Sequence, residues 1–282
     1  MKKHLLAGLA ASGFALSAAP AMAQSSDEPV YFDGLYVAGS VSYDIQSNDG
    51  GDTLAFDTDG DGVSDNVNTA AGVDAFAPGF CNGQARSGLA ADGCTSDKDD
   101  IGYAGRVGFD KRFNGGPFVA GVLLEGSSSD AIDYTSGFSS TPASYTVNRE
   151  LDYAISARAR AGFSPGDGRG LFYVTGGGSY AKIRHGFTTT NNANSFAERD
   201  DGDMVWGYQA GAGVELMVTQ NVGLGLEYLY SNYKDNDFFV EVGQGTAPAT
   251  NPFLIDSGRT DIRPSDTNFE VQSLRASLSF HF

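Results

Sequence analysis

Apolar and polar side chains alternate with a period of two along most of this chain, over segments longer than a globular strand usually runs. From Leu35 to Gln46 the odd positions Leu35, Val37, Gly39, Val41, Tyr43 and Ile45 are apolar or Gly, and the intervening Ala38, Ser40, Ser42 and Asp44 are small or polar, Tyr36 excepted. Successive strand residues point to opposite faces, so this pattern makes a ribbon with one greasy and one polar side. The same rhythm returns over Ile101 to Phe113, Phe118 to Glu125, Leu151 to Phe163, Phe172 to Tyr180, Trp206 to Val218, Val222 to Tyr230 and Ser273 to Phe282. In the fourth segment Leu151, Tyr153, Ile155, Ala157, Ala159, Ala161 and Phe163 share the apolar face, and in the fifth a triple Gly blurs the phase.

Asn114-Gly115-Gly116-Pro117, Ser164 to Gly168 and Thr219-Gln220-Asn221 are tight turns, built from residues that accept positive φ or fix it. These short connections alternate with long ones: residues 47–98, a Ser/Thr-rich stretch ending near Arg149, His185 to about Gly202, and the stretch between Tyr230 and Ser273. Eight strands with short turns at one end and long loops at the other form the pattern of an antiparallel transmembrane barrel. No apolar run after Ala23 approaches the roughly 20 residues of a spanning helix, so a membrane crossing has to be made by a closed barrel.

A soluble sandwich also alternates, but it would bury its apolar face and show the polar one to water. Here the polar faces mix Gly and Ala with Arg106, Glu125, Arg158, Arg160, Glu215, Glu227 and Arg275, as a narrow lumen needs small residues beside a few long ones. The apolar faces therefore meet lipid. Tyr43, Phe109, Phe113, Phe163, Phe172, Tyr180, Trp206, Tyr208, Tyr228, Tyr230, Phe269, Phe280 and Phe282 lie near strand ends, placed for interfacial girdles.

The N-terminus agrees. Lys2 and Lys3 precede an apolar stretch from Leu5 to Leu16, and Ala21-Met22-Ala23 has the small residues of a cleavage site, so residues 1–23 read as a signal peptide and 24–282 as the exported barrel. A net charge of −17 leaves no basic surface for nucleic acid. The 38 glycines and 12% aromatics favour strands over helices. Cys81 and Cys94 are the only cysteines, and in an exported loop they are expected to pair.

The stretches Gly34-Leu35-Tyr36-Val37-Ala38-Gly39, Gly211 to Glu215, Leu224 to Tyr228 and the terminal Ser279-Phe280-His281-Phe282 resemble small outer-membrane β-barrel proteins of the opacity-protein and OmpA transmembrane-domain type, including porin-like surface antigens. The resemblance implies the outer membrane of a Gram-negative bacterium, contact with lipid and lipopolysaccharide, and recognition of Phe282 by the barrel-assembly machinery. The chain departs from it in its long first loop with two cysteines, and in ending at the last strand without a peptidoglycan-binding domain, so wall anchoring of the OmpA kind is not expected.

Counted from the short-turn ends, Arg106, Glu125, Arg158, Glu215, Glu227 and Arg275 fall at similar depth and are expected to share one belt inside the barrel, where unpaired charges are costly. Such a belt is either a plug or the lining of a gated polar pore. Asp57, Asp59, Asp61 and Asp65, with Gly62 at the sixth position, follow the first part of a Ca²⁺ loop, but Asn68 stands where a bidentate Glu belongs. The alternative is a flexible acidic loop. His185 and His281 are the histidines beyond residue 23, and no spacing joins either to a Ser and an acid as a triad, so no catalysis is expected. The long loops hold many acids, among them Asp97, Asp99, Asp100, Asp200, Asp201, Asp203, Asp235 and Asp237, suited to divalent-cation bridges to lipopolysaccharide. The reading is an envelope-structure, adhesion or surface-recognition barrel, with a narrow passive channel as the alternative.

Overall fold

Alternating side chains hold each segment extended, and pairing of every strand on both sides closes the ring. The computed structural model describes residues 30–46, 51–200, 202 and 204–282. The expected signal peptide, Asp201 and Asp203 lie outside them. Eight strands make the barrel: β1 (Gly34–Ile45), β4 (Asp100–Arg112), β5 (Phe118–Ser129), β7 (Ala143–Phe163), β8 (Gly170–Thr189), β10 (Met204–Met217), β11 (Val222–Lys234) and β14 (Asn268–His281). The remaining strands, β2 (Leu54–Asp57), β3 (Gly79–Asn82), β6 (Ile132–Ser139), β9 (Ser195–Arg199), β12 (Phe239–Gly243) and β13 (Thr260–Pro264), lie in the long connections.

Each barrel strand is antiparallel to the next, and β1 closes the ring on β14 with Val37 opposite Phe280 and Val41 opposite Ala276. Closure satisfies the backbone donors and acceptors that hydrocarbon cannot. The orientation is the inverse of a soluble protein's. Val214, Leu226 and Leu278 are 41%, 56% and 58% exposed on the outer wall, while Arg158 and Glu227 inside are 2% and 1% exposed.

The fifth expected strand keeps its phase through the triple Gly. A side chain at Gly177 would collide with the Ala157 carbonyl of β7, so the glycines let two strands approach. The structure alters three other expectations. The Ser/Thr-rich stretch is no loop: β6 and the outer half of β7 form a hairpin that continues the sheet beyond the membrane. A register shift between Leu151 and Tyr153 turns Leu151 inward, 6% exposed, instead of onto the lipid face, because a bulge sets the residues before it in the opposite parity to those after it. Phe269 is 1% exposed inside the barrel rather than in a girdle, since β14 begins at Asn268 and its odd positions face the lumen.

β7 and β8 run for 21 and 20 residues, about twice the roughly 9–11 that span a bilayer. Their outer halves carry a cap. β2, β13, β12 and β9 form a four-stranded antiparallel sheet drawn from the first, third and fourth long connections, with Val240 opposite Ile262 and Val242 opposite Phe196. Beneath it Leu54, Phe56, Phe76, Tyr145, Val240, Phe253 and Ile262 form one apolar core. The long acidic stretch, from residue 51 to 98, is thus part of a folded layer, stapled by the expected Cys81–Cys94 disulfide, which links β3 to the chain after it.

Two measurements check this architecture. Nitroxides at Val214, Leu226 and Leu278 are expected to be relaxed by oxygen dissolved in lipid and shielded from an aqueous nickel complex; the reverse would turn the barrel inside out. Ile262→Ala, at a position 0% exposed, is expected to destabilise the cap by about 2–5 kcal/mol, opening the long connections to protease while the barrel keeps its heat-modifiable gel mobility.

Candidate functional site

The inward positions stack in layers from the short-turn rim to the cap. At the short-turn mouth the chain before β1 folds into the opening. Tyr31 and Phe32 pack with Val119, Leu171, Tyr173 and Met217, and Arg112 fixes them by donating Nε to the Tyr31 carbonyl at 2.9 Å and an Nη to Ser164 Oγ at 2.8 Å.

The first ionic layer lies above. Arg160 bridges Asp110 and Glu215, donating Nε to Asp110 Oδ1 at 2.7 Å and Nη1 to Glu215 Oε2 at 3.0 Å. Its guanidinium sits 4.4 Å over the Tyr36 ring and 5.3 Å from that of Tyr173. Glu215 also meets His281 Nε2 at 2.9 Å and accepts from Ser279. In the second layer Arg158 donates Nη2 to Glu125 at 2.7 Å and Nη1 to Glu227 at 3.2 Å. Arg275 closes on Glu125 at 2.6 Å, Arg106 on Glu227 at 3.2 Å, and the Tyr173 hydroxyl donates to Glu227 at 2.9 Å.

The six residues expected in one belt therefore divide. Arg106, Glu125, Arg158, Glu227 and Arg275 meet; Glu215 sits one layer nearer the short turns with Arg160 and Asp110, which counting by depth had left out. Parity held the missing signal: Asp110 follows Arg106 and Gly108 on one face of β4, and Arg160 follows Arg158 on β7. With them, the arginines 106, 158, 160 and 275 face the acids 110, 125, 215 and 227 one for one across the two layers.

Higher still, Gln209 Nε2 donates to Ser231 and Tyr233, and Ser156 pairs with Ser179. An apolar layer of Leu151, Ala154, Ala181, Ile183, Val205, Phe269 and Val271 follows. Above it Arg149 donates to Asp133 at 2.7 Å and to the carbonyls of Asp266 and Asn268 at 3.1 Å. His185 Nε2 lies 3.0 Å from both Asp235 oxygens, and its ring stacks on Phe238 at 4.1 Å. The pocket beside Arg149 holds about 10 Å³, room for a single water at most. Chemically, these layers neutralise charge and fill space.

In the cap Asp57, Asp59 and Asp61 bring one carboxylate oxygen each within 4.8 Å of one another. Asp65 does not join them; its Oδ2 accepts from Thr58 N and Oγ1 at 3.1 and 3.0 Å. Burial acts to raise the Asp57 pKa, but the N–H groups of Gly62 and Gly60 outweigh it and hold the carboxyl below the usual range. Asp97 and Asp235, expected among the exposed loop acids, are both 8% exposed. Burial pushes Asp97 up to about 7, with Asp133 and Asp52 adding to the rise against the Tyr134 N–H and Arg149.

Residues 9–282 match the outer membrane protein β-barrel domain family. Over 149 residues, 52% of the chain, the sequence is 28% identical to a 22 kDa outer membrane protein of Rhizobium leguminosarum bv. viciae, and the match spans 61% of that relative's length. Among solved structures, the outer membrane protein OprG of Pseudomonas aeruginosa aligns with a TM-score of 0.51 at 11% identity, covering 91% of this chain and 100% of OprG. Neisserial surface protein A aligns at 0.33 and 12% identity, covering 89% and 98%. A match over nearly the whole chain, on a closed eight-stranded ring with lipid-facing apolar walls, has one meaning: the chain belongs to the outer-membrane protein β-barrel family.

Proposed function

We propose that this protein is a non-conducting, non-enzymatic barrel that holds a folded cap outside the cell, serving envelope structure, adhesion or surface recognition. One observation carries the reading: the lumen is filled from Tyr31 and Phe32 at one mouth, through two paired ionic layers and an apolar layer, to Arg149 under the cap. A narrow passive channel would need room where these side chains touch. Their paired charges favour a plug, because parting them would strand ions in a low-dielectric interior.

Lipid and lipopolysaccharide are the partners this reading gives the outer wall and rim, with divalent cations as bridges to anionic headgroups. Phe282, 61% exposed beside Phe280, is the residue offered to the assembly machinery. Ca²⁺ is the ion that the hard oxygens of Asp57, Asp59 and Asp61 would take.

Purified protein in planar bilayers is expected to stay silent; stable, reproducible openings would make it a channel and end the plug reading. For the cation, Ca²⁺ titration should slow protease cleavage of the first long connection, and Asp59→Asn with Asp61→Asn should remove the protection. Cleavage indifferent to Ca²⁺ in the native chain removes the cation from the proposal.

A further inference from the structure

All four long connections converge on one cleft of the cap. Phe76 comes from the first, the turn at Ser139 to Ala143 from the second, Thr190 to Ala193 from the third and Asn251 to Phe253 from the fourth. The cleft holds about 390 Å³, within the range of small-ligand sites.

Its floor is the little that Phe76, Tyr145 and Phe253 leave uncovered, each of them 2–4% exposed and otherwise packed in the cap core. The rings of Phe76, Tyr145 and Phe253 lie 5.3 to 5.8 Å apart in a mutual triangle. Its wall is a fixed amide cluster: Asn191 and Asn251 each donate Nδ2 to Asn194 Oδ1, at 3.0 and 3.1 Å, and Asn191 Nδ2 also lies 3.0 Å from the Tyr145 hydroxyl. Its rim carries the exposed Ser140, Thr141 and Asn192. The third and fourth connections are thus locked together before any ligand arrives, which lowers the ordering cost of binding.

The absence of charge in this lining is the informative part. Among the described residues no Asp, Glu, Lys or Arg lines the cleft, in a chain with 35 acidic and 18 basic residues. A charged ligand would lose its hydration here and find no counter-ion. A wholly apolar ligand would leave the rim hydroxyls and amide stripped of water without partners. A sugar ring satisfies both halves, with C–H groups for the apolar floor and hydroxyls for the Asn192 amide and the hydroxyls of Ser140 and Thr141 at the rim.

We propose that this cleft binds a neutral saccharide, an uncharged sugar unit of a glycan outside the cell. The proposal rests on reading the cap as a recognition surface and names its ligand class. Asn192 and Ser140 set the sugar's hydroxyls at the rim, and the uncovered atoms of Phe76, Tyr145 and Phe253 lie under its apolar side.

Saturation-transfer NMR on the full-length protein folded in detergent tests it, with lactose, maltotriose and chitotriose as neutral probes and sialyllactose as the charged one, all at millimolar concentration. At least one neutral sugar should receive saturation, more strongly than sialyllactose. Ser140→Trp, which fills the cleft from an exposed turn, should abolish it, and Asn192→Ala should weaken it about tenfold, the worth of one or two hydrogen bonds. Both variants are expected to keep native heat-modifiable mobility. No transfer to any neutral sugar, transfer unchanged in both variants, or preference for sialyllactose would each overturn the proposal. Such a failure in a protein that is silent in bilayers sinks the saccharide alone, whereas conduction sinks the reading of the barrel as a plugged display scaffold.

Discussion

The hydrocarbon core of a bilayer supplies no hydrogen-bond partners, and the rest of this structure follows from that lack. Each main-chain N–H and C=O must find its partner in protein, so eight strands pair on both sides and the ring closes between β1 and β14. Closing a ring of eight strands leaves a lumen only wide enough for side chains. The same solvent that demands closure outside thus creates a narrow, poorly hydrated interior, where every charge must be answered by another.

That interior explains the division of the ionic residues. Arg158 touches two glutamates, Glu125 and Glu227, and each of those touches a second arginine. This layer holds three arginines and two glutamates; the layer beside it holds Arg160 with Asp110 and Glu215, an excess of acid. The two imbalances cancel. Tyr173 joins them, with its hydroxyl on Glu227 and its ring beside Arg160. Such networks are held by mutual satisfaction more than by net attraction, because removing one partner of a buried pair strands the other at a cost of about 3–5 kcal/mol.

Outside the membrane the constraint changes and so does the pattern. The strands β7 and β8 continue past the bilayer, and water on their outer side lets the inner side bury an ordinary apolar core under the cap sheet. Four connections that would each be costly to order alone share that core, which is how a chain so acidic keeps long loops folded. The Leu151/Tyr153 bulge marks the junction: below it β7 turns polar residues inward, and above it Tyr145, Val147 and Leu151 point in.

The sequence by itself determined the ring: eight alternating segments, their short turns, the lipid-facing Val, Leu and Phe, and the inward Arg and Glu are all set by parity, a local property that a strand cannot evade. It also supplied the cysteine pair. Only the tertiary structure decided which inward charges meet, because depth depends on strand tilt and stagger, and so Glu215 found Arg160 and Asp110 instead of the arginines of the next layer. The cap was likewise illegible. β2, β9, β12 and β13 are four or five residues long, too short for a period to declare itself, and their sheet exists only because segments as distant as Phe56 and Ile262 are brought together above the closed barrel.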